Sequence, residues 1–403
     1  MTGDMEKAVP DEAKSREFPY YPLLFALAPV LSVFGSNLSV FSVQDLIRPV
    51  IVVVLVSGLI LLVLAAGMKS WQRGAAAALP WLAGAWLFDP LHRALAGLAE
   101  ALSLVFMGAA ALIGTWILAK WNPRPKFLNV ASLLLTFLLA GSALVRLFTP
   151  AIGPAASQAD TVQVSLKSRA KPSIFYIVPD GFGRLDVLKE KHDLDLDWFA
   201  QALKKRGCQI AEENHSCYIQ TQLSLASTLN LQGLDALKGS KNNGDRRMFG
   251  PWITQSLTAR VLKESGYEHV TVGSGYEGIK LGGREVPIEV RAPVSLFEAS
   301  LLKKTPISLL PWLDRVQSVR HRGHLESAFK ALKELARPGL NPKFVMAHLL
   351  TPHPPFVFDA DGRPIEPKGG FAISDGDDYI RLVSGPEDYR TGYAQKAQYT
   401  AKK

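Results

Sequence analysis

Cysteine is scarce in this sequence: its 403 residues include only Cys208 and Cys217. Their spacing is not Cys-x-x-Cys, which excludes the metal or redox chemistry of that motif. No dense Lys/Arg cluster with interleaved aromatic residues is present, which argues against nucleic acid as a partner. No internal repeat is evident. The net charge of +9 suits anionic lipid headgroups or phosphate-bearing substrates, although such a charge can also serve solubility alone.

Apolar residues are distributed unevenly along the chain. Residues 19–149 contain nearly all the long hydrophobic runs, whereas 150–403 carries charges throughout. At this length two domains are expected. We therefore predict a membrane domain at 1–149, a linker of small and polar residues at 150–172, and a water-facing domain at 173–403.

The membrane domain is predicted to contain about five spans. A span needs about 20 predominantly apolar residues. The apolar segments lie near 20–40, 49–67, 75–97, 101–119 and 127–149. The third is the least regular, because its apolar run stops at Asp89-Pro90. It is either a short span or a helix that enters the membrane and returns.

Basic residues in the loops predict the orientation. They concentrate in the N-terminal tail and in the second and fourth loops, as Lys7, Lys14, Arg16, Lys69, Arg73, Lys120, Arg124 and Lys126. Five spans place these basic stretches on one side, which the positive-inside rule makes cytoplasmic. The C-terminal domain is then exported across a bacterial-type inner membrane. The first segment lacks a small-residue cleavage site and is predicted to be an uncleaved anchor.

Both cysteines fall in the predicted exported domain. An oxidising compartment would let Cys208 and Cys217 form a disulfide. The alternative is that they are two unrelated buried thiols. The sequence leaves both possibilities open, and pairing is the one that we predict.

The exported domain is predicted to be an α/β fold. Short β-branched or aromatic runs at 173–178, 208–211, 269–272 and 343–347 favour strands. Helices are predicted at 195–206, from Thr221, from Pro251 and around 322–336, and a polar surface loop at 238–247. Alternating strands and helices favour a mainly parallel sheet that is covered on both faces.

Polar residues follow several of these strands, where open α/β sheets bind ligands. Asp180 follows the first strand, Thr221 follows the second at a helix start, and His348 and His353 follow the fourth. Each has a simpler interpretation: Asp180 as a turn residue, Thr221 as an N-cap, and the histidines as surface residues. Their coincidence at one predicted sheet edge favours a site.

Three segments carry a family resemblance. Ser173-Ile-Phe-Tyr-Ile-Val-Pro-Asp-Gly-Phe-Gly183, Gln220-Thr-Gln-Leu-Ser-Leu-Ala-Ser227 and the stretch from His348 to Phe356 resemble successive motifs of the alkaline phosphatase/sulfatase superfamily. The most similar branch is membrane-anchored and comprises lipoteichoic acid synthases, phosphoglycerol transferases and lipid A phosphoethanolamine transferases. Those proteins also place five membrane helices before an exported α/β/α catalytic domain.

The resemblance implies a role for each motif residue. Asp180 would be a ligand of a divalent metal ion (Mn, Mg or Zn), and Thr221 would be both nucleophile and metal ligand. His353 would contact the substrate phosphate or leaving group, with His348 as a further substrate-site residue. The implied reaction is transfer or hydrolysis of a phosphoryl ester on a lipid-linked or glycan envelope substrate.

The chain departs from this family in two respects. Cys217 is followed by Tyr-Ile-Gln-Thr rather than by the C/S-x-P-x-R pattern of sulfatases, so phosphoryl esters are favoured over sulfate esters. A late Asp-His-Gly would complete the metal site, but this chain contains no Asp-His dipeptide. We therefore expect a sequence that is truncated or has lost its end, and residues 1–403 alone to be inactive. The alternative function is a non-catalytic descendant that binds an envelope glycan or protein.

Overall fold

The structure is a computed structural model. It describes residues 17–38, 41–94, 100–121, 123–148, 170–233, 249–276, 279–288, 290, 292–339, 341–373, 376–383 and 385–403. Two compact units make up the chain: mainly the five N-terminal helices, and an α/β region. Most of the predicted linker 150–172, and all of the predicted loop 238–247, lie outside the described residues.

All five apolar segments contain a helix. The helices are α1 Tyr21–Ser36, α2 Val43–Gly67, α3 Trp71–Ala94, α4 Glu100–Trp121 and α5 Pro125–Phe148. Among the described residues, two helical stretches, Val43–Gly67 and Leu102–Trp121, are long and apolar enough to cross a membrane. The apolar parts of α1 and α5, Tyr21–Ser36 and Pro125–Gly141, are shorter. The region is thus helical with two candidate membrane spans.

Small residues let the N-terminal helices pack closely. A Cβ at Gly74 would overlap the backbone of Ala65, so α2 and α3 meet where only glycine fits. Ala75 to Ala78 follow on α3 and are fully buried. Close approach through small residues is typical of helix packing in membranes. Asn129 of α5 ties the start of α1, since its side chain accepts from Tyr21 N at 3.0 Å and donates to Phe18 O at 3.0 Å.

Within the described residues, the strands of the α/β region form one four-stranded sheet. Its strands are β1 Ile174–Pro179, β2 Glu268–Val272, β3 Arg284–Glu285 and β4 Lys343–Leu349, in the order β1-β4-β2-β3 with every neighbouring pair parallel. The α-helices are Leu185–His192, Asp197–Lys205, Thr221–Asn230, Phe249–Thr254, Leu257–Glu264, Leu296–Leu302, Pro311–Leu335, Gly376–Leu382 and Pro386–Lys402, with a 3-10 turn at Pro306–Leu309.

The core lies on both faces of β4. Phe344 and Met346 pack with Leu225 and Leu229 of the helix Thr221–Asn230 on one face. The intervening residues Val345 and Ala347 pack on the other face, against residues of the helix Pro311–Leu335. Successive strand residues point to opposite faces. A continuous apolar run such as β4 therefore fits a sheet buried on both sides, as predicted.

One predicted strand is wrong and one real strand was missed. Residues 208–211 form no strand; they follow Gly207, which has φ +82°, and their side chains are mostly exposed. An exposed segment of this kind has no apolar face to bury against a sheet. Strand β3 consists of Arg284 and Glu285, two exposed charged residues with no hydrophobic signal. The predicted strands near 173–178, 269–272 and 343–347 are confirmed.

The cysteines contradict the predicted disulfide. Cys208 and Cys217 are both free, and both are exposed rather than buried. Their segment lies in irregular backbone, which does not bring the two thiols together.

We expect both thiols to react with a maleimide in the native protein before any reductant is added. Exposure removes the steric barrier to the reagent, and no disulfide blocks either sulfur. Mass spectrometry of the labelled peptides, with and without prior reduction, measures this. Labelling that appears only after reduction would contradict the prediction.

Candidate active site at the carboxyl edge of the sheet

Asp180 lies directly after β1, at the carboxyl edge of the parallel sheet. Its backbone N–H donates to Leu349 O at 2.8 Å, which continues the pairing of β1 with β4. Its carboxylate Oδ2 lies 2.9 Å from Nε2 of His348. Gly181 then turns the chain with φ +76°, a conformation that side-chain-bearing residues rarely adopt. The carboxylate is therefore bonded to an imidazole and is more than a turn residue.

His348 is the sixth residue of β4 rather than a residue beyond it, which corrects its predicted position. It faces Val178 across the sheet, and its side chain is 1% exposed. Because a carboxylate can only accept, Nε2 carries the hydrogen of this contact. Nδ1 is buried without a hydrogen-bond partner in the described part of the chain.

Thr221 is the first residue of its helix. The N-cap is Gln220, which makes no side-chain capping bond, so the predicted alternative that Thr221 is itself the cap is wrong. Its Oγ1 lies 3.4 Å from Oδ1 and 3.3 Å from Oδ2 of Asp180. The hydroxyl thus faces the carboxylate, although an irregular loop and not a second strand delivers it. A helix N-terminus beside this hydroxyl favours bound anions.

His353 is attached to the same turn through its main chain. Its N–H donates to the carbonyl of Asp180 at 2.9 Å, and its Nδ1 lies 2.6 Å from Pro354 O. The loop that follows β4 therefore closes over the Asp180 turn. The structure brings together all four predicted site residues, Asp180, Thr221, His348 and His353.

The surroundings of Asp180 keep its carboxylate ionised. Burial alone would raise the pKa of Asp180, but the hydrogen bond from His348, the charges of His348 and His353, and the bond from Thr221 together hold it below its usual value. The stabilisation that the ionised form contributes is present above the ordinary aspartate pKa. It is lost as the pH falls through the lower folded pKa.

Lys396 is a functional candidate that the sequence analysis missed. It is fully buried, and Nζ donates to the carbonyls of Leu350, His353 and Pro355 at 3.2, 2.7 and 2.9 Å. Burial holds the pKa of Lys396 well below its usual value, while the charge of Asp180 acts in the opposite direction. One ammonium group therefore fixes three carbonyls of the loop that carries His353.

Tyr393, one turn earlier on the same helix, supports the Asp180 turn. Its hydroxyl donates to Gly181 O at 2.7 Å and accepts from Gly183 N at 3.1 Å. Tyr393, Lys396, Ala397 and Thr400 form one helical stripe with spacing 3, 4 and 7, and all are buried. That spacing was the sequence signal for a buried helix face, and the polar residues between these positions obscured it.

The metal site that the resemblance implies is only partly supplied. Asp180 and Thr221 offer oxygen donors, but the described residues contain no group of three His, Cys, Asp or Glu that could hold a metal ion. Catalytic zinc usually has three protein ligands. Magnesium keeps several waters and is bound through one or two carboxylates together with substrate phosphates. The donor set therefore fits magnesium or manganese better than zinc.

Comparison of the chain with protein-family models, with curated proteins and with solved structures finds no match.

Proposed function

We propose that this chain belongs to a membrane-anchored enzyme of the alkaline phosphatase/sulfatase type that transfers or hydrolyses a phosphoryl ester. The observation that carries the proposal is the meeting of Asp180 with Thr221 and His348, which lie 41 and 168 positions away along the chain. The substrate is a lipid-linked or glycan phosphoester of the envelope, of phosphoglycerol or phosphoethanolamine type.

Thr221 is the nucleophile in this proposal. Its hydroxyl proton passes to water while Oγ forms a bond to phosphorus and the bond from phosphorus to the leaving oxygen breaks. The resulting phosphothreonine is then cleaved by water or by an acceptor hydroxyl. The start of the Thr221 helix holds the phosphoryl oxygens. His353, on the loop closed over the Asp180 turn, contacts the substrate phosphate or supplies the proton to the leaving oxygen.

Asp180 acts by orientation and charge. Its lowered pKa makes it a weak proton acceptor. Its ionised oxygens therefore orient the Thr221 hydroxyl and would attract a cation to the site. A divalent cation bound by Asp180 and Thr221 would lower the pKa of the hydroxyl and neutralise phosphate charge. His348 fixes the carboxylate from the buried side.

Membrane anchoring through five spans, with the α/β region exported, completes the proposal. Two observations support anchoring. Only 17% of the most apolar window of each candidate span is buried, whereas a core helix of a soluble protein is mostly covered. Large side chains such as Leu55, Val105 and Phe137 are each at least 66% exposed, which suits contact with lipid.

We expect a C-terminal alkaline phosphatase reporter to be active and a fluorescent protein that folds only in the cytoplasm to be dark at the same position. An odd number of spans after a cytoplasmic N-terminus places the reporter outside. Reporter activity and fluorescence, normalised to protein level, measure this. The reverse pattern would place the α/β region in the cytoplasm.

The proposal is tested on the full-length product of the gene with a chromogenic phosphodiester and magnesium or manganese. We expect Asp180→Asn to lower kcat/KM by about a hundredfold or more, because an amide has no charge and cannot accept from both His348 and Thr221 equally well. The matched control is Asp195→Asn, which removes an exposed carboxylate paired with Lys189 and should leave turnover unchanged.

A second candidate function is a non-catalytic binder of an envelope glycan or protein. The partial donor set for a metal favours it. Absence of metal-dependent turnover in a folded full-length protein would support the binder and contradict the enzyme. Equal turnover of wild type and Asp180→Asn would instead contradict the assigned site.

A further inference from the structure

A cleft lined by both polar and apolar residues lies at the same edge of the sheet as the candidate active site. It has a volume of about 330 Å³, including space open to solvent. Ser274 and Gly275, just beyond β2, form one wall, and Gln317, Arg320, His321 and His324 of the helix Pro311–Leu335 form another. The carboxyl edges of parallel strands are where such folds bind ligands.

Gln317 points to a ligand in this cleft. The residue is 1% exposed, and neither its amide nitrogen nor its amide oxygen has a hydrogen-bond partner within the described parts of the chain. A buried amide without partners lowers stability, and a same-sized apolar residue would avoid that cost. A polar ligand that bonds this amide removes the cost.

The two histidines supply further polar groups. His321 is 5% exposed, and its Nε2 lies 3.3 Å from Nζ of Lys396. His324 Nε2 donates to Gly273 O at 2.9 Å. Gly275 has φ +76°, and a Cβ there would lie 2.9 Å from the His324 ring, so glycine is required where the strand end packs on this imidazole.

The charge of the cleft indicates the class of ligand. None of the described residues that line it is acidic, while Arg320 contributes a guanidinium group. A guanidinium fork with neighbouring N–H and O–H donors matches the oxygens of phosphate. We propose that this cleft binds a phosphate-type oxyanion, either free or as part of a larger phosphate ester. The site is separate from Thr221 and does not depend on the proposed reaction.

The cleft is linked to the active-site loop. Lys396 contacts His321 on the cleft side and the carbonyl of His353 on the other side. An anion beside His321 would be close to the buried ammonium group that fixes the His353 loop. We therefore expect a bound anion to stabilise the contacts of Lys396 with His321 and with the carbonyl of His353.

Thermal unfolding of the full-length protein in detergent tests this site. Inorganic phosphate is titrated at pH 7, with ionic strength held constant by sodium chloride. We expect a saturable rise in the unfolding midpoint. Gln317→Leu should unfold at a higher temperature than wild type without phosphate, and its apparent phosphate affinity should fall at least about tenfold. Arg320→Gln should lower the apparent phosphate affinity by a similar factor. Arg315→Gln, an exposed change on the same helix, is the matched control and should bind as wild type does.

The outcomes separate this cleft from the candidate active site. Retention of the phosphate effect in Thr221→Ala, together with its loss in Gln317→Leu and Arg320→Gln, supports the proposal. Loss in Thr221→Ala alone would place phosphate at the active site and overturn it. Absence of a saturable effect in wild type at millimolar phosphate would also overturn it. A second titration with glycerol phosphate distinguishes the two forms of the ligand. A site for free phosphate should bind inorganic phosphate at the lower concentration, and a site for a phosphate ester should bind glycerol phosphate at the lower concentration.

Discussion

Thr221→Ala should abolish phosphoester turnover, with kcat reduced on the order of 10³-fold or more. The substitution removes the hydroxyl oxygen that faces the Asp180 carboxylate from the start of the helix Thr221–Asn230, at 3.3 and 3.4 Å. Stability should change little, because these two contacts are long and a single hydrogen bond contributes about 1 kcal/mol. Steady-state kinetics of the full-length protein measures turnover, and thermal unfolding measures stability.

Two further variants make this result specific. Ser224→Ala removes a hydroxyl one turn later on the same helix, where it contacts Ser216 Oγ at 3.1 Å, and should retain turnover. Thr221→Ser keeps the oxygen and should retain part of the activity. A reaction quenched during turnover should yield a phosphorylated peptide that contains Thr221. A phosphorylated Ser224 peptide, or full activity in Thr221→Ala, would show that the motif was aligned incorrectly.

Lys396→Met should destabilise the protein and disable the site together. The methionine fills a similar volume but leaves the carbonyls of Leu350, His353 and Pro355 without their shared donor. Each unsatisfied buried carbonyl costs about 1–3 kcal/mol, and relief from burying an ammonium group offsets part of this. We expect a net loss of about 2–4 kcal/mol, which lowers the midpoint of unfolding by roughly 5–15 °C.

The control for this variant lies on the same helix. Lys402→Met removes an exposed ammonium group that binds Ala360 O and Asp361, and should change stability by less than about 0.5 kcal/mol. The comparison is made by thermal unfolding, followed by kinetics at a temperature where both variants are folded. Lys396→Met with wild-type stability and wild-type turnover would show that the loop holds His353 without the lysine.

The apolar signals in the sequence were sufficient to place three of the four strands that the structure describes, β1, β2 and β4. Strand β4 is an apolar run from Phe344 to Ala347, and its burial on both faces explains why the run is continuous. Strand β1 is an edge strand of aromatic and β-branched residues, and it leaves Ile174 and Ile177 exposed. Strand β3 could not be found this way, because Arg284 and Glu285 pair through their backbones while their side chains face solvent. The segment 208–211 has strand-forming residues but no face to bury.

The motif residues were found because Asp180 and His353 follow strands, His348 lies near the end of one, and Thr221 begins a helix beside Asp180. Lys396 and Gln317 were not found, since lysine and glutamine in a helix normally face water. Their burial depends on the tertiary contacts that surround them: three loop carbonyls around Lys396, and the cleft beside β2 for Gln317. The helical spacing of Tyr393, Lys396, Ala397 and Thr400 indicates a buried helix face, but no local pattern encodes the individual contacts.

The hydrogen bond between Tyr393 and Gly181 joins residues 212 positions apart, and this distance has a consequence for biosynthesis. Contacts of such high sequence separation must overcome the entropy of closing a long loop, which slows their formation. A nascent chain that has been translated through the loop after β4 already contains Asp180, Thr221 and His353. The helix Pro386–Lys402, which binds the Asp180 turn and the His353 loop, is still to be translated. The candidate site is therefore completed only after residues 393–396 have left the ribosome. Until then the Asp180 turn and the His353 loop lack the contacts of Tyr393 and Lys396.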